Sequence, residues 1–331
     1  MVGGLISEQR DFLQVQSYEC LNGCVCNLLN LWGYPIKCSD VFFIGGGFEV
    51  EFLDKGDSFS IYSKAYNSNF DFLKKYEIKY HLKSDENMSG ARQQLIDLVL
   101  RNTYIAVKVT SLVLNYNRVY SQTESSHYVI VCGYDEENDS FYIMDSYVPT
   151  MIPSSYSGWI DANIFVQGWE KTGYTYITLK KNSKLSSEVI KKDSLQAMRT
   201  ALNNYCNPII PNENMGEKAI LALFDKIRKC EKDLMPGWTK EANYQLRVQG
   251  PISTRCFLME KMRDFGDETL YNEMETCISK WNMICMMLLK TGISKNPKGL
   301  ETVFLQGTEL LKKEKNIMTQ FLNQIEYKGE N

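Results

Sequence analysis

Residues 127–135 read His-Tyr-Val-Ile-Val-Cys-Gly-Tyr-Asp, and a second apolar run, Phe-Tyr-Ile-Met-Asp, follows at residues 141–145. Both runs are rich in the β-branched and aromatic residues that favour strands. The polar residues 135–139 between them have the composition of a hairpin loop. The segment therefore predicts two antiparallel strands, one that begins with a histidine and one that ends with a carboxylate.

A segment upstream of this hairpin has the periodicity of an amphipathic helix. Its apolar residues recur at helical spacing from Leu21 to Trp32, and Gly33 and Pro35 end the pattern. Cys20 stands at the head of this helix. The partial positive charge of a helix N-terminus should lower the pKa of its thiol and favour the thiolate.

The cysteine, the histidine and the carboxylate have the residue types and the order of a nucleophile, a base and an orienting group. If the hairpin turn is centred near Glu137, odd-numbered residues pair with odd-numbered ones, so His127 and Asp145 share one face of the sheet. The chain has two histidines, and the other, His81, lies in a polar segment. We therefore predict a catalytic triad of Cys20, His127 and Asp145.

Each member of this triad also has an interpretation without catalysis. Cys20 could be a buried thiol, His127 a strand histidine bonded to the backbone, and Asp145 a turn residue at a strand end. Catalysis is favoured because the three occur together in this order.

Cysteine clustering raises the alternative of a zinc site near the predicted helix. The spacing fits no common zinc motif, and no second Cys/His pair follows. We expect no metal, and we expect most of the cysteines to be buried as small apolar residues. The cysteines considered as zinc ligands are Cys20, Cys24, Cys26 and Cys38, and those expected in the core are Cys24, Cys26, Cys38 and Cys132.

The oxyanion formed during attack on a carbonyl needs a fixed hydrogen-bond donor. Gln14 lies six residues before Cys20, and Gln16 lies four residues before it. Either side-chain amide could serve alongside the backbone N–H of Cys20.

The composition excludes several classes of function. The chain of 331 residues is 44% hydrophobic and 23% charged, with a net charge of −3, so nucleic-acid binding is not expected. No apolar run reaches 18 residues, and the N-terminus has no basic region followed by an apolar stretch. We therefore expect no membrane segment and a cytoplasmic protein, in which most cysteines are thiols.

The predicted secondary structure of the chain changes near residue 182. Strands and short helices precede the polar residues 182–187, and helical periodicity dominates after them. The sequence predicts an α+β protein with a catalytic domain at residues 1–182 and an α-helical domain at residues 183–331.

Gln14, Cys20 and Gly33 resemble the papain-like domain of double-glycine leader peptidases, in which a Gln lies six residues before the Cys and an apolar helix runs to a Gly. Residues 20–48, with Ser-Asp-Val-Phe-Phe-Ile-Gly-Gly-Gly-Phe at 39–48, resemble more closely the N-terminal domain of the butirosin-pathway acyltransferase family. That family also carries a helical C-terminal domain. Leu-Asn-Gly follows the cysteine here instead of the Gly-Pro of leader peptidases, which weakens the protease interpretation.

This resemblance implies a papain-like fold, an N-terminal helix packed on an antiparallel sheet, and acyl transfer in natural-product biosynthesis. A carrier-protein thioester would acylate Cys20, and an amine would then accept the acyl group to form an amide. A similar enzyme forms amide bonds in the assembly of the polythioamide closthioamide. No cofactor is expected beyond the phosphopantetheine of an acyl or peptidyl carrier protein. The alternatives are a peptidase or thioesterase on the same triad, and a non-catalytic binding module.

The second step needs a pocket that admits an amine and excludes water. The helical domain and the loop of Gly45, Gly46 and Gly47 are candidate substrate-binding walls of that pocket, and a plain turn is the alternative for the glycines.

Two further stretches of the C-terminal region stand out, one basic and one rich in methionine. Lys226, Arg228, Lys229 and Lys232 could receive an acidic carrier protein, although a solvated helix face is the more common meaning of such a pattern. The Met-rich residues 283–287 are expected to lie in the core.

Overall fold

The computed structural model describes residues 14–84, 90–101, 103–117, 120, 124–149, 154–180, 185–207, 215–248 and 250–329. Antiparallel sheets occupy the N-terminal half and helices the C-terminal region, which confirms the predicted α+β class. Residues 1–13, which contributed to the expected localisation, and residues 182–184 of the predicted boundary lie outside the described residues.

Helices and strands are interspersed up to residue 179, and the elements that follow are helical. The strands are β1 (Val50–Asp54), β2 (Phe59–Ser63), β3 (Tyr80–Lys83), β4 (Ile105–Thr110), β5 (Ser126–Asp135), β6 (Ser140–Val148), β7 (Ser154–Asp161) and β8 (Tyr176–Leu179). The helices are α1 (Cys20–Leu31), α2 (Cys38–Ile44), α3 (Ala65–Lys75), α4 (Ala91–Leu100), α5 (Ala162–Glu170), α6 (Ser187–Cys206), α7 (Gly216–Arg228), α8 (Met235–Val248), α9 (Pro251–Asp264), α10 (Glu268–Ile293) and α11 (Pro297–Gly329).

Contacts between Cα atoms divide the chain into two compact units. The first comprises Met1–Val41 and Asn69–Ile190, and the second comprises Phe42–Ser68 and Lys191–Asn331. The units thus change over between residues 190 and 191, and the second includes residues 42–68, which the sequence pattern had grouped with the first domain. The predicted domain boundary after residue 182 stays a prediction.

The first unit is built around a six-stranded antiparallel sheet with the strand order β3-β8-β4-β5-β6-β7. Strands β4, β5 and β6 are almost completely buried, which explains why their sequences are nearly continuous apolar runs. Helices α4 and α5 share one hydrophobic core with these strands. Its largest members are Phe141, Phe165 and Trp169, each fully buried.

Helix α1 also packs on β5 and β6, and it approaches β6 closely at Gly23. A Cβ atom added to Gly23 would lie 2.4 Å from Cβ of Ser146 and 2.9 Å from Cβ of Ser17. Any side chain at this position would therefore push the helix away from the strand that carries Asp145. Glycine at position 23 is thus a packing requirement of the helix that begins with Cys20.

Asn27 ties α1 to its surroundings through its buried side-chain amide. Its Nδ2 donates to the Val15 carbonyl at 2.9 Å and to Ser146 Oγ at 2.9 Å, and its Oδ1 accepts from the Val15 N–H at 2.8 Å. The Ser17 N–H also donates to the Ser146 carbonyl at 2.8 Å. One helix, one strand and the extended segment before the helix are therefore held together as a unit.

The second unit contains the β1–β2 hairpin and the C-terminal helices. Arg255 and Glu314, both fully buried, form an ion pair at 3.1 Å. Arg255 also donates to Tyr205 Oη at 2.8 Å, and Trp281 Nε1 donates to Glu314 at 2.7 Å. These partners satisfy the buried charges, as burial of an ion pair requires.

Helical periodicity predicted the buried face of α10 but misjudged its Met-rich stretch. Trp281 and Leu288 are buried as predicted. Met283 and Met286, however, are 62% and 55% exposed, so the expectation that residues 283–287 lie in the core is wrong for these two. They occupy the opposite side of a helix whose other face already fills the core.

All ten cysteines are free thiols. Cys24, Cys26, Cys38 and Cys132 are buried, which confirms the expectation for these four. Among the described residues, no helix is long and apolar enough to cross a membrane.

Candidate active site

A β-bulge sets the relative positions of His127 and Asp145. Next to the turn, Asp135 pairs with Ser140, so odd residues face even ones, and the pairing predicted there is wrong. The register shifts at Cys132, and beyond this bulge odd residues pair with odd ones. The imidazole Nε2 of His127 consequently donates to Asp145 Oδ1 at 2.9 Å. The structure therefore brings the predicted base and its predicted orienting group together.

Asp145 is a fully buried carboxylate that accepts hydrogen bonds from several donors. Its Oδ1 accepts from His127 Nε2 and from the Tyr147 N–H at 3.0 Å. Its Oδ2 accepts from the hydroxyls of Tyr116 at 2.7 Å and Tyr120 at 2.9 Å. Such a set of donors offsets much of the cost of burying the charge.

The two tyrosines keep their protons in this environment. Burial, followed by the charge of Asp145, raises the pKa of Tyr116 and of Tyr120 far above the ordinary value. Both phenols therefore remain hydrogen-bond donors at any physiological pH. The Tyr120 hydroxyl also lies 3.1 Å from His127 Nε2 and 2.9 Å from the Tyr147 carbonyl. Because the described hydrogen bonds of the ring involve Nε2, Nδ1 is the nitrogen left to act as a base.

Cys20 begins α1, as predicted. The preceding residue, Glu19, is the N-cap of the helix, and its carboxylate accepts from the N–H groups of Leu21 at 3.1 Å and Asn22 at 2.6 Å. The thiol of Cys20 donates to Glu19 Oε1 at 3.4 Å. Both Glu19 and Cys20 are only partly exposed.

The expected lowering of the thiol pKa is wrong. Burial, followed by the charge of Glu19, raises the pKa of Cys20 well above its usual range, and a hydrogen bond from the Tyr128 backbone opposes this only in part. The helix N–H groups that should have favoured a thiolate are occupied by the Glu19 carboxylate. A negative charge has thus replaced the partial positive charge next to the sulfur.

Among the described residues, hydrogen bonds do not join all three predicted catalytic residues. Cys20 interacts with the backbone of Tyr128, the residue after His127. Among the residues that the structure describes, no hydrogen bond joins Cys20 Sγ to the imidazole; the hydrogen bonds of His127 Nε2 go to Tyr120 and Asp145. In free enzymes, catalytic hydrogen bonds are often long and tighten only when substrate binds.

The two glutamines differ in their surroundings. Gln14 Oε1 accepts from Ser157 Oγ at 2.6 Å, whereas its Nε2 is buried and has no partner among the described residues. A buried amide N–H₂ without a partner can still donate a hydrogen bond to an acceptor that binds next to it. Gln16 is exposed, and its carbonyl accepts a weak hydrogen bond from Cys38 Sγ at 3.8 Å. The role of Gln14 or Gln16 as an oxyanion donor stays a prediction.

Helix α2 is followed by a turn formed by Gly45, Gly46 and Gly47. The N–H groups of Gly46 and Gly47 donate to the Phe43 and Phe42 carbonyls at 3.0 and 2.8 Å. Gly46 has a φ of +76°, and a Cβ on Gly45 would lie 2.0 Å from the Ser68 carbonyl oxygen. Backbone conformation and close packing thus explain why glycine occurs in this turn. The predicted role of these glycines in substrate binding stays a prediction.

The basic segment at the end of α7 is largely neutralised by ion pairs. Lys226 binds Asp54 at 2.8 Å, and Arg228 binds Asp225 at 2.8 Å and Glu301 at 3.4 Å. Lys229 binds Asp225 at 2.5 Å. Docking of a carrier protein on this surface stays a prediction, and its net positive potential is smaller than the sequence suggested.

Sequence reasoning missed Glu19, Tyr116 and Tyr120. Glu19 had a local signal, because an acidic residue directly before a helix can cap it. The tyrosines lie in irregular chain between β4 and β5, where no periodicity reveals which way a side chain points. No cluster of three or more residues able to hold a metal occurs among the described residues.

Residues 19–146 match the family described as "Butirosin biosynthesis protein H, N-terminal". This is the family that the sequence resemblance indicated, so the resemblance is confirmed over that segment. The matched segment begins one residue before Cys20 and ends one residue after Asp145, and it contains His127. No curated protein matches the chain at a significant level.

Proposed function

We propose that this chain is a papain-like cysteine acyltransferase that forms an amide bond in a biosynthetic pathway. Cys20 is the nucleophile, His127 the general base, and Asp145 the group that orients the imidazole and stabilises its charged form. The observation that carries the proposal is the buried 2.9 Å contact between His127 and Asp145, set beside the helix that begins with a partly exposed cysteine. The family match over residues 19–146 supports a biosynthetic enzyme.

The acylation half-reaction follows from the raised pKa of the thiol. Since Cys20 is protonated in the free enzyme, its proton passes to His127 Nδ1 as sulfur attacks the thioester carbonyl of the donor. A bond forms between Sγ and the acyl carbon, and the bond between that carbon and the donor sulfur breaks. The imidazolium returns the proton to the departing thiolate. The donor thioester and the Cys20 thiol are thus converted into the acyl-Cys20 thioester and the free donor thiol. The exchange is nearly isoenergetic, and the enzyme has only to align and activate the groups.

Gln14 is the side-chain donor that we assign to the oxyanion. Its buried Nε2, which has no partner among the described residues, would gain an acceptor only when the tetrahedral intermediate forms. Interactions that strengthen in the transition state lower the barrier, whereas those already satisfied in the ground state do not. The segment that carries Gln14 is fixed to α1 through Val15 and Asn27, which favours a constant distance from Cys20.

The acyl donor in this proposal is a thioester on the phosphopantetheine of an acyl or peptidyl carrier protein. In the second half-reaction an amine attacks the acyl carbon, and Cys20 leaves as a thiolate that recovers its proton. A thioester is more reactive toward amines than an ester is, so a cysteine nucleophile suits amide formation.

Intact mass spectrometry tests the proposal. Incubation with acyl phosphopantetheine thioesters of several chain lengths should add one acyl group to the wild-type protein, and addition of amines should convert it to an amide product. The adduct should be lost in Cys20→Ala and retained in Cys24→Ala, which alters a buried thiol one turn further along α1. His127→Ala should slow acylation by a factor of about 100 or more.

Other outcomes would point elsewhere. An acyl-enzyme that yields only free acid in the presence of amines would favour a thioesterase or peptidase on the same residues. Failure of every donor to acylate Cys20 would leave a binding module and overturn the proposal.

A further inference from the structure

Glu19 touches the atom that carries the acyl group in the proposed reaction. Its Oε1 accepts from the Leu21 N–H at 3.1 Å and from the Cys20 thiol at 3.4 Å. Its Oε2 accepts from the Asn22 N–H at 2.6 Å and from Asn69 Nδ2 at 3.2 Å. Each carboxylate oxygen therefore holds two donors in the free enzyme, and one of these four donors is the nucleophile itself.

Acylation removes one of those donors. A thioester sulfur has no proton, so the hydrogen bond from Cys20 to Oε1 disappears when the acyl group is attached. Oε1 then regains a free lone pair directly beside the acylated sulfur. The amine that attacks the acyl carbon must approach this same region, because the carbon is bonded to Sγ.

We propose that Glu19 is the catalytic base for the acceptor, and that it selects a protonated primary amine as the second substrate. This inference rests on the proposed acyl transfer from Cys20. It assigns a proton acceptor to the amine half-reaction.

The position and the residue type favour this role over simple helix capping. The residues that best cap a helix are Ser, Thr, Asp and Asn, whose short side chains reach the first N–H groups. The longer side chain of Glu19 makes the capping bonds and also reaches the sulfur. Burial raises the pKa of Glu19 above its usual value, which makes its carboxylate a stronger base than an exposed one.

The acceptor arrives as the ammonium R–NH₃⁺. One proton passes from the ammonium to the Glu19 carboxylate, and the neutral amine attacks the acyl carbon. The C–N bond forms, a second proton passes from nitrogen to His127, and the C–S bond breaks. The Cys20 thiolate takes that second proton from the imidazolium. The amide keeps one N–H, the thiol is restored, and Glu19 releases its proton to solvent.

Glu19→Gln tests this assignment because the amide can still accept hydrogen bonds but has neither the charge nor the basicity. The acyl-enzyme is formed from a phosphopantetheine thioester and then mixed with one of two amines of similar size. Ethylamine is protonated at neutral pH and needs a base, whereas 2,2,2-trifluoroethylamine is already neutral. We expect the ratio of the ethylamine rate to the trifluoroethylamine rate, each measured from preformed acyl-enzyme, to fall about 100-fold in Glu19→Gln, because only ethylamine needs the base.

Two further variants separate chemistry from structure. Glu136→Gln makes the same chemical change at an exposed position of the β5–β6 turn and should leave both amine rates unchanged. Glu19→Asp keeps the charge and the cap but withdraws the carboxylate, so its ethylamine rate should fall between those of the wild type and Glu19→Gln. A loss of helix capping alone would slow both amines equally.

The results distinguish failure of this inference from failure of the proposed function. If acyl-Cys20 forms but Glu19→Gln affects both amines equally or neither, Glu19 is not the acceptor base. A wild-type acyl-enzyme that reacts with trifluoroethylamine but not with ethylamine also overturns the inference. If no acyl-Cys20 forms in the wild-type protein, the proposed function fails and this inference fails with it.

Discussion

Asp145 concentrates the polar interactions of the candidate site in one buried group. Two phenols, one imidazole and one backbone N–H donate to its two oxygens. The side chain is held from several directions, so it fixes the imidazole of His127 in the tautomer that carries its proton on Nε2. The acceptor capacity of a carboxylate matches these four donors, whereas a neutral amide cannot.

Asp145→Asn should therefore impair catalysis and, to a smaller extent, stability. The amide N–H₂ would face groups that are themselves donors, and the imidazolium would lose its counter-charge. We expect acylation of Cys20 to slow by a factor on the order of 10³ to 10⁴ and the free energy of unfolding to fall by about 1–3 kcal/mol. Single-turnover acylation followed by mass spectrometry, together with urea unfolding, measures both effects.

Asp161→Asn is the matched control. Asp161 caps α5 by accepting from the Ile164 N–H at 2.9 Å, and asparagine caps a helix about as well as aspartate. This variant should retain both activity and stability. Normal acylation in Asp145→Asn would show that the buried carboxylate takes no part in the reaction.

At the scale of elements, the contact between α1 and β6 determines where Cys20 lies relative to Asp145. Gly23 permits this contact because Ser146 and Ser17 leave no room for a Cβ. The hydrogen bonds of Asn27 then hold the helix in place. A small displacement of a catalytic group can reduce a rate about 100-fold, so packing at this contact has consequences for the chemistry.

Gly23→Ala should displace α1 from the sheet. Overpacking of this kind costs about 1–3 kcal/mol of unfolding free energy, and we expect acylation of Cys20 to slow at least tenfold. The second substitution Ser146→Gly removes the closest atom that the new Cβ would meet and should restore part of both losses. Urea unfolding and single-turnover acylation of the double variant test whether the steric conflict with Ser146 causes the losses. Equal losses in the single and double variants would contradict it.

Buried thiols link the stability of the entire folded chain to pH. Burial raises the pKa of Cys132, Cys256 and Cys285 to about 12 each. An unfolded thiol has a pKa of about 8.5, so the unfolded chain loses these protons first as the pH rises. The contribution of these protonated thiols to the free energy of unfolding is fully present below about pH 8.5. It is lost as the pH rises toward about 12, by about 1.4 kcal/mol per pH unit for each thiol.

We therefore expect the urea midpoint to fall steeply above about pH 8.5, because the unfolded and folded thiol pKa values of about 8.5 and about 12 bound the range in which stability depends on pH. Cys285→Ala should make this decline shallower, because one linked proton is removed. Met274→Ala on the same helix is a control that truncates a buried side chain without removing a thiol, and its decline should equal that of the wild type. Identical slopes in all three proteins would contradict the linkage.

Much of the fold could be predicted because its elements have strong local periodicity. The helix from Cys20, the hairpin strands around residues 127–145 and the helical C-terminal region all appear where the pattern indicated. The β1–β2 hairpin was missed, and the apolar residues 41–44 gave no sign of being helical. These segments are short, and a short apolar run fits a strand and a buried helix equally well.

Residue types and their spacing identify the groups that are available for chemistry: one cysteine at a helix start, one histidine and one carboxylate on adjacent strands, and a glutamine six residues before the cysteine. How these groups are arranged depends on the packing of the folded chain. The bulge at Cys132 restores the register that brings His127 to Asp145, and the carboxylate of Glu19 reverses the expected effect of the helix terminus on Cys20. The reason is physical: periodicity is a property of neighbouring residues, whereas hydrogen bonds and charge effects depend on distances between side chains that packing alone sets.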